Sequence, residues 1–379
     1  MKLQGKQAEW LQETLERTVS KLEKVSRRSK DKIPYTTENG VHDDWSGERI
    51  GWWTNGFWGG MMWQLYVYTK DEFYRQVALE NEEKLDADLM DYEKMDHDNG
   101  FKWLPTAVAD YRLTKDKAAR NRGLLAAANL AGRYNSLGRY IRAWNGMPTP
   151  ERDCRGWAII DCMMNLPLLY WAGEELADPR FTQIARNHAD TAMRCFIRGD
   201  GSANHIVEFD LETGEMVKSY GGQGYGEGSS WTRGQSWALY GFTLSYIHTK
   251  EQAYLETAQR VANYFIANIP ESGLIPVDFR QPEEVSWQDS TAAAIAACGL
   301  IELSRQFEGR QAEVYLQAAV RLLQALSEKS VNWDESQDNL LEKCTAAYHD
   351  KAHEFSIIYG DYYFLEALLK LADRDLFVW

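Results

Sequence analysis

Two kinds of helical segment alternate along this chain, and that alternation constrains its fold more than any other feature. Five stretches, 69–89, 114–134, 177–197, 249–269 and 308–328, open on a turn signal and a charged start, then carry alanine and apolar residues at helical spacing. Polar residues on one side and apolar residues at i, i+3, i+4 and i+7 mark surface helices. The opening stretch near 7–28 belongs to the same class. Immediately before each of the five lies a different kind of segment, and a sixth closes the chain: GFWGGMMWQLYVYT (56–69), GFKWLPTAVADYRLT (100–114), WAIIDCMMNLPLLYWAGEE (157–175), RGQSWALYGFTLSYIHT (233–249), DSTAAAIAACGLIELSRQF (289–307) and GDYYFLEALLKLADRD (360–375). These are apolar nearly all round and rich in small residues, as helices packed on every side must be. With the opening helix they form six outer–inner pairs.

The connections are unequal. Inner-to-outer turns take two to four residues (TKDE, LADP, HTKE), whereas outer-to-inner connections are long, near 30–53, 91–99, 136–156, 198–232, 270–288 and 330–355. If six such hairpins close into a ring, every long connection emerges on one face, and long ordered loops usually carry function. The stretch HIVEFDLETGEMVKSYGG alternates around an E-T-G turn and predicts a small β-hairpin on that face. No Pro/Ser/Gly-rich linker interrupts the pattern. The expected fold is therefore all-α, a single (α/α)6 barrel domain over 1–379; a two-domain helical solenoid is the alternative.

Composition narrows the function. The net charge of −14 argues against a general nucleic-acid binder, which needs a surplus of phosphate-neutralising cations. No stretch approaches the length of a membrane span, and the first residues lack the apolar core of a signal peptide, so a soluble cytoplasmic protein is expected. Five scattered cysteines, at 154, 162, 195, 298 and 344, form no CxxC pair and suit a reducing compartment. The 15 Trp and 20 Tyr fit either a large core or a surface that stacks on sugar rings.

The long connections hold what is chemically unusual: His42, Asp43, Asp44 and Trp45; Trp52, Trp53 and Trp58; Asp96, His97, Asp98 and Trp103 in DHDNGFKW; Trp144; Asp161; His205; then Gln223, Trp231, Arg233, Gln235 and Trp237 in GGQGYGEGSSWTRGQSW. Asp161 stands out as an ionisable group inside AIIDCMMNLPLLYW, about one turn into an inner helix. It is either a cap or partner for a buried polar group, or an acid whose pKa is raised by apolar walls. A second carboxylate such as Asp98 would raise it further by like-charge repulsion. The seven histidines form no HxxxH or HxH cluster, so no metal is expected. Asp289 and Asp361 stand where a carboxylate caps an inner helix. The glycines of GGQGYGEGSS lack the strand and the GKS of a nucleotide loop and let the backbone approach a ligand. Arg233, between Trp231 and Trp237, is a candidate carboxylate clamp or a surface arginine stacked on tryptophan.

The segments TNGFWGGMMW, DHDNGF, IIDCMMNLPLLYWAGE, SSWTRGQSWALYGF, DSTAAAIAACGLIE and YGDYYFLEALLK, in this order between about 40 and 370, resemble glycoside hydrolase family 88, the unsaturated glucuronyl hydrolases. The resemblance implies an (α/α)6 barrel acting on oligosaccharides left by polysaccharide lyases, with Asp161 and Asp98 as the essential aspartates. It places substrate contacts at Trp53, Trp144, His205, Gln223, Trp231, Arg233 and Trp237. The family's DHHD run is DHD here, which leaves His97 without a firm assignment, and 330–355 matches no family pattern.

The chemistry so implied is hydration of a C4=C5 enol ether, with Asp161 donating the proton and then orienting and deprotonating the water. Asp98 holds sugar hydroxyls and keeps Asp161 protonated. No cofactor or metal is required, and the expected partner is an unsaturated oligosaccharide, with no nucleic acid and no membrane. Alternatives are an unsaturated rhamnogalacturonyl hydrolase on the same barrel, a sugar epimerase, which wants two facing histidines, and a non-catalytic glycan-binding protein. Sugar preference and oligomeric state are not legible in the residues.

Overall fold

The computed structural model describes residues 3–146, 149 and 153–379, so the end of the IRAWNGMP segment lies outside the described residues. Among them the amphipathic segments form the outer helices α1 (Lys6–Ser29), α3 (Glu72–Lys84), α7 (Lys117–Gly132), α9 (Pro179–Cys195), α11 (Gln252–Ala267) and α13 (Gly309–Lys329). A one-turn helix, α4 (Asp86–Leu89), extends α3. The apolar segments form the inner helices α2 (Asn55–Thr69), α5 (Asn99–Trp103) continued by α6 (Ala109–Thr114), α8 (Leu166–Leu176), α10 (Thr232–Thr249), α12 (Ser290–Ser304) and α14 (Ile358–Leu371). Each inner helix packs on the next, and α14 packs back on α2, closing an (α/α)6 barrel.

The short turns share one local solution. At Thr69-Lys70-Asp71, Thr114-Lys115-Asp116 and Thr249-Lys250-Glu251, the threonine hydroxyl donates back to the fourth preceding carbonyl and accepts the N–H two residues on. The lysine between takes a left-handed φ of 57–63° that ends the inner helix. Asp71, Asp116 and, after Ala177, Asp178 then cap the outer helices by accepting the N–H of Phe73, Ala119 and Arg180. Chain reversal is thus written into three or four residues.

Two inner helices differ from the sequence expectation. The second is interrupted at Leu104–Val108 by a π turn, because Pro105 has no N–H to donate to the preceding turn. The third starts later than residue 157. Trp157–Ile159 is a strand (β5), Ile160–Met164 a 3-10 turn, and α8 begins only at Leu166, with Pro167 in its first turn where a missing N–H costs nothing. Asp161 therefore stands in a tight turn before the helix, not one turn into it.

The expected hairpin is present as β6 (Ile206–Phe209) and β7 (Met216–Tyr220), antiparallel with Val207 opposite Ser219. Strand β5 adds to its other edge, Ala158 opposite Val207, which the sequence had not suggested. Two further two-residue ladders, β1 (Thr37–Glu38) with β2 (Val41–His42) and β3 (Tyr134–Asn135) with β4 (Tyr140–Ile141), lie within the long connections. The indole of Trp379 is buried parallel to Tyr363 and donates to Glu366. No described helix is long and apolar enough to cross a membrane.

Candidate active site

Strand pairing builds the site. The Ile160 N–H donates to the His205 carbonyl at 3.0 Å, bringing the start of β6 beside the turn that carries Asp161. His205 Nε2 then lies 3.7 Å from Asp161 Oδ2. Nδ1 of the same ring accepts the Gln223 N–H at 3.0 Å, so a neutral imidazole carries its hydrogen on Nε2, facing the carboxyl. Burial pushes His205 down to about 3 and so keeps it neutral. Burial pushes the Asp161 carboxyl up to about 7, against the pull of the Arg233 charge. With 13% of its side chain exposed, Asp161 is desolvated yet reachable.

Asp98 occupies the N-cap position of α5 and is likewise buried. Its carboxyl is held well above the usual range by burial and by the charges of Asp96 and Asp161, with Lys102 and Asn165 opposing. His97, fully buried and pushed down to about 4 by desolvation, has Nε2 3.4 Å from Asp98 Oδ1. Two carboxyl groups that both favour protonation on one wall hold at least one proton near neutrality.

Both open onto a cavity of about 440 Å³, within the usual range of small-molecule sites. Of the substrate contacts that the resemblance implies, Trp53, Trp144, Gln223 and Arg233 line it with the two aspartates. Trp53 leans on Phe101 and Tyr359, and Trp144 meets Trp157 edge-on. Gln223 links two loops: its Nε2 donates to the Ala346 carbonyl, and its own carbonyl accepts from Tyr348 N–H, both at 2.8 Å.

Arg233 is neither a free clamp nor a surface residue. Buried, it spans 2.6 Å to Asp289 and 2.7 Å to the Thr345 carbonyl, donates also to the Ala346 carbonyl, and lies over Trp231. Its charge faces the cavity while two of its hydrogen bonds hold the 345–346 segment.

His205, Trp231 and Trp237 do not line the cavity. Trp231 packs 4.3 Å from His205, and the fully buried Trp237 packs on Phe101 and Tyr363. Asp289 caps α12 as expected, accepting the Thr291 N–H. Asp361 does not cap its own helix: it accepts the N–H groups of Leu340 and Leu341, tying the long connection to α14.

The cavity also has walls that the sequence had not marked as binding residues: Tyr35, Trp52, Asp96, Ile159, Ala346, Asp350 and Tyr359. Tyr359 sits two residues before Asp361 in the YGD motif, a signal that could have found it. Tyr35, Ala346 and Asp350 carry no local mark. Among the described residues no group of three or more His, Cys, Asp or Glu is placed to hold a metal ion.

The model of Glycosyl Hydrolase Family 88 matches residues 23–370. The chain belongs to that family. It is 39% identical over 327 residues to the unsaturated glucuronyl hydrolase of Bacillus sp. (strain GL1), covering 84% of this chain and 86% of that one. To the unsaturated chondroitin disaccharide hydrolase of Streptococcus pyogenes serotype M1 it is 36% identical over 325 residues, covering 84% and 80%. The crystal structure of the Bacillus sp. GL1 unsaturated glucuronyl hydrolase superposes with a TM-score of 0.88 at 34% identity, covering 95% and 96% of the two chains. The Streptococcus agalactiae unsaturated glucuronyl hydrolase gives 0.88 at 30%, covering 97% and 93%. For a family 88 glycoside hydrolase, this cavity supplies a proton-holding acid, a second carboxyl beside it, aromatic walls and one oriented cation.

Proposed function

We propose that this chain removes a 4,5-unsaturated uronic acid from the non-reducing end of lyase-generated oligosaccharides by hydrating its C4=C5 bond. One observation carries the reading: Asp161, a reachable carboxyl raised to about 7, shares its cavity with Asp98. The relatives' names support it, as do solved relatives holding dGlcA-Glc-Rha-Glc and dGlcA-GalNAc6S.

The bond beside the ring oxygen is an enol ether. Asp161 transfers its proton to C4, leaving an oxocarbenium-like centre at C5. The Asp161 carboxylate then takes a proton from the water that adds there. The resulting hemiketal opens to a 5-ketone, and the hemiacetal left at C1 releases the neighbouring sugar. The positive potential of Arg233 draws the uronate carboxylate, Asp98 accepts from or donates to sugar hydroxyls, and Trp53 and Trp144 present ring faces to the sugars. His205 Nε2–H faces the carboxylate left on Asp161 after proton transfer.

The ring closes only where α2 meets α14, so we read the whole chain as one catalytic domain. The five unpaired cysteines support a reducing, cytoplasmic setting.

Incubation with lyase-generated disaccharides tests the reaction through the ultraviolet absorbance of the conjugated alkene-carboxylate. The wild-type chain should bleach it, Asp161→Asn should leave it, and heavy water should place deuterium at C4. Near-normal turnover by Asp161→Asn removes Asp161 from this role, and no bleaching by wild type sinks the activity.

A further inference from the structure

Four aspartates in this chain sit at helix N-caps and do what aspartate does there: Asp71, Asp116, Asp178 and Asp289 each accept a backbone N–H two or three residues on. Asp98 occupies the same position at the start of α5 and makes no such bond. The N–H it would take, that of Phe101, instead donates to Asn165 Oδ1 at 2.9 Å, from the start of the neighbouring inner helix α8. The other end of the same amide donates to Asp98 Oδ1 at 3.2 Å and to the backbone carbonyl of Asp161 at 3.4 Å. Asn165 is completely buried, and the backbone of α5 lies tight against it: a Cβ on Gly100 would stand 2.5 Å from Asn165 Cα and 2.7 Å from Oδ1.

We infer that Asn165 is a positioning residue, which caps α5 in place of Asp98 so that the Asp98 carboxyl turns into the cavity, tethered to the turn that carries Asp161. The inference rests on the hydration reading above for the role of the two carboxyls. Without the amide the Phe101 N–H loses its acceptor, and a carboxylate at the N-cap position, that of Asp98, is favoured in its place. Asp98 would then leave the cavity while its own chemistry stayed intact.

Two substitutions separate this from a merely structural role. Asn165→Ala removes both ends of the tether; Asn165→Asp keeps the acceptor for Phe101 but replaces the donor to Asp98 by another acid. Both should lose at least tenfold in kcat on an unsaturated disaccharide. The basic limb of the pH–kcat profile should move in opposite directions. It goes lower in Asn165→Ala, where Asp161 loses a like-charged neighbour, and higher in Asn165→Asp, where it gains one. A crystal structure of Asn165→Ala should show the Asp98 carboxyl bonded to Phe101 N–H; if that variant does not fold, the direction of the Asn165→Asp limb decides. Either variant folded with kcat within threefold of wild type, an unmoved Asp98, or an Asn165→Asp limb that stays or falls overturns the inference. An inactive wild-type chain would instead refute the hydration reading.

Discussion

His205 turns Nε2 toward Oδ2 of Asp161 at 3.7 Å, while the Gln223 N–H, at 3.0 Å from Nδ1, dictates which nitrogen carries the hydrogen. The ring is neutral at any working pH, because burial holds it near 3. It therefore presents a neutral N–H toward Asp161, beyond hydrogen-bond distance, without itself titrating in the active range.

Replacing His205 by Leu removes that donor. The Asp161 carboxyl should rise further, moving the basic limb of the pH–rate profile upward, and kcat should fall by roughly 10²-fold, the lower end of acid–base contributions. Gly222→Ala should act on the same contact, since a Cβ there would lie 2.0 Å from Nδ1 and the φ of +59° is left-handed. Rate profiles of both variants check this; an unmoved limb in His205→Leu counts against it.

The wild-type profile has a defined sign. The acid must hold its proton, and its folded-state pKa is raised to about 7, so activity is available below that value and is lost as pH rises through it. kcat should fall about tenfold per pH unit well above 7. A rate that climbs steadily from pH 7 to 9 would contradict the assignment.

Trp53 and Trp237 should respond differently. Trp53 lines the cavity, so Trp53→Ala should raise KM with a small change in melting temperature. Trp237 is fully buried between Phe101 and Tyr363, and Trp237→Ala should cost about 3–5 kcal/mol of stability. Denaturant midpoints beside Michaelis constants test the pair.

Arg233 and Asp289 form a buried ion pair at 2.6 Å that also fixes the Thr345 carbonyl. Arg233→Met alone strands a buried carboxylate and should cost about 3–5 kcal/mol. Adding Asp289→Asn should recover part of the stability but not the KM, because the 345–346 segment stays unpinned and the cavity loses its cation. Urea unfolding of the single and double variants reads the coupling; strictly additive losses would show that the two do not act as a pair.

Much of this was legible in the residues. Helical periodicity is a local property, so the outer and inner faces, and the face on which the long connections gather, could be read before any contact was known. Asp161 announced itself as a charge in a greasy run, and Asp98 by its motif. The start of the third inner helix was misplaced because an apolar stretch has no period of its own. Only pairing with β6 makes 157–159 a strand, and Pro167 delays the helix.

Which tryptophan lines the cavity and which fills the core was not written in either motif, since Trp53 and Trp237 sit in equally aromatic surroundings. Tyr35 and Asp350, some three hundred residues apart, meet at one wall only because α14 returns to α2. Sequence fixes what each segment can bury and which groups can carry a proton, because those follow from side chains and their spacing. Ring closure alone decides which of those groups are brought together and dried, and it is desolvation that turns an ordinary aspartate into an acid.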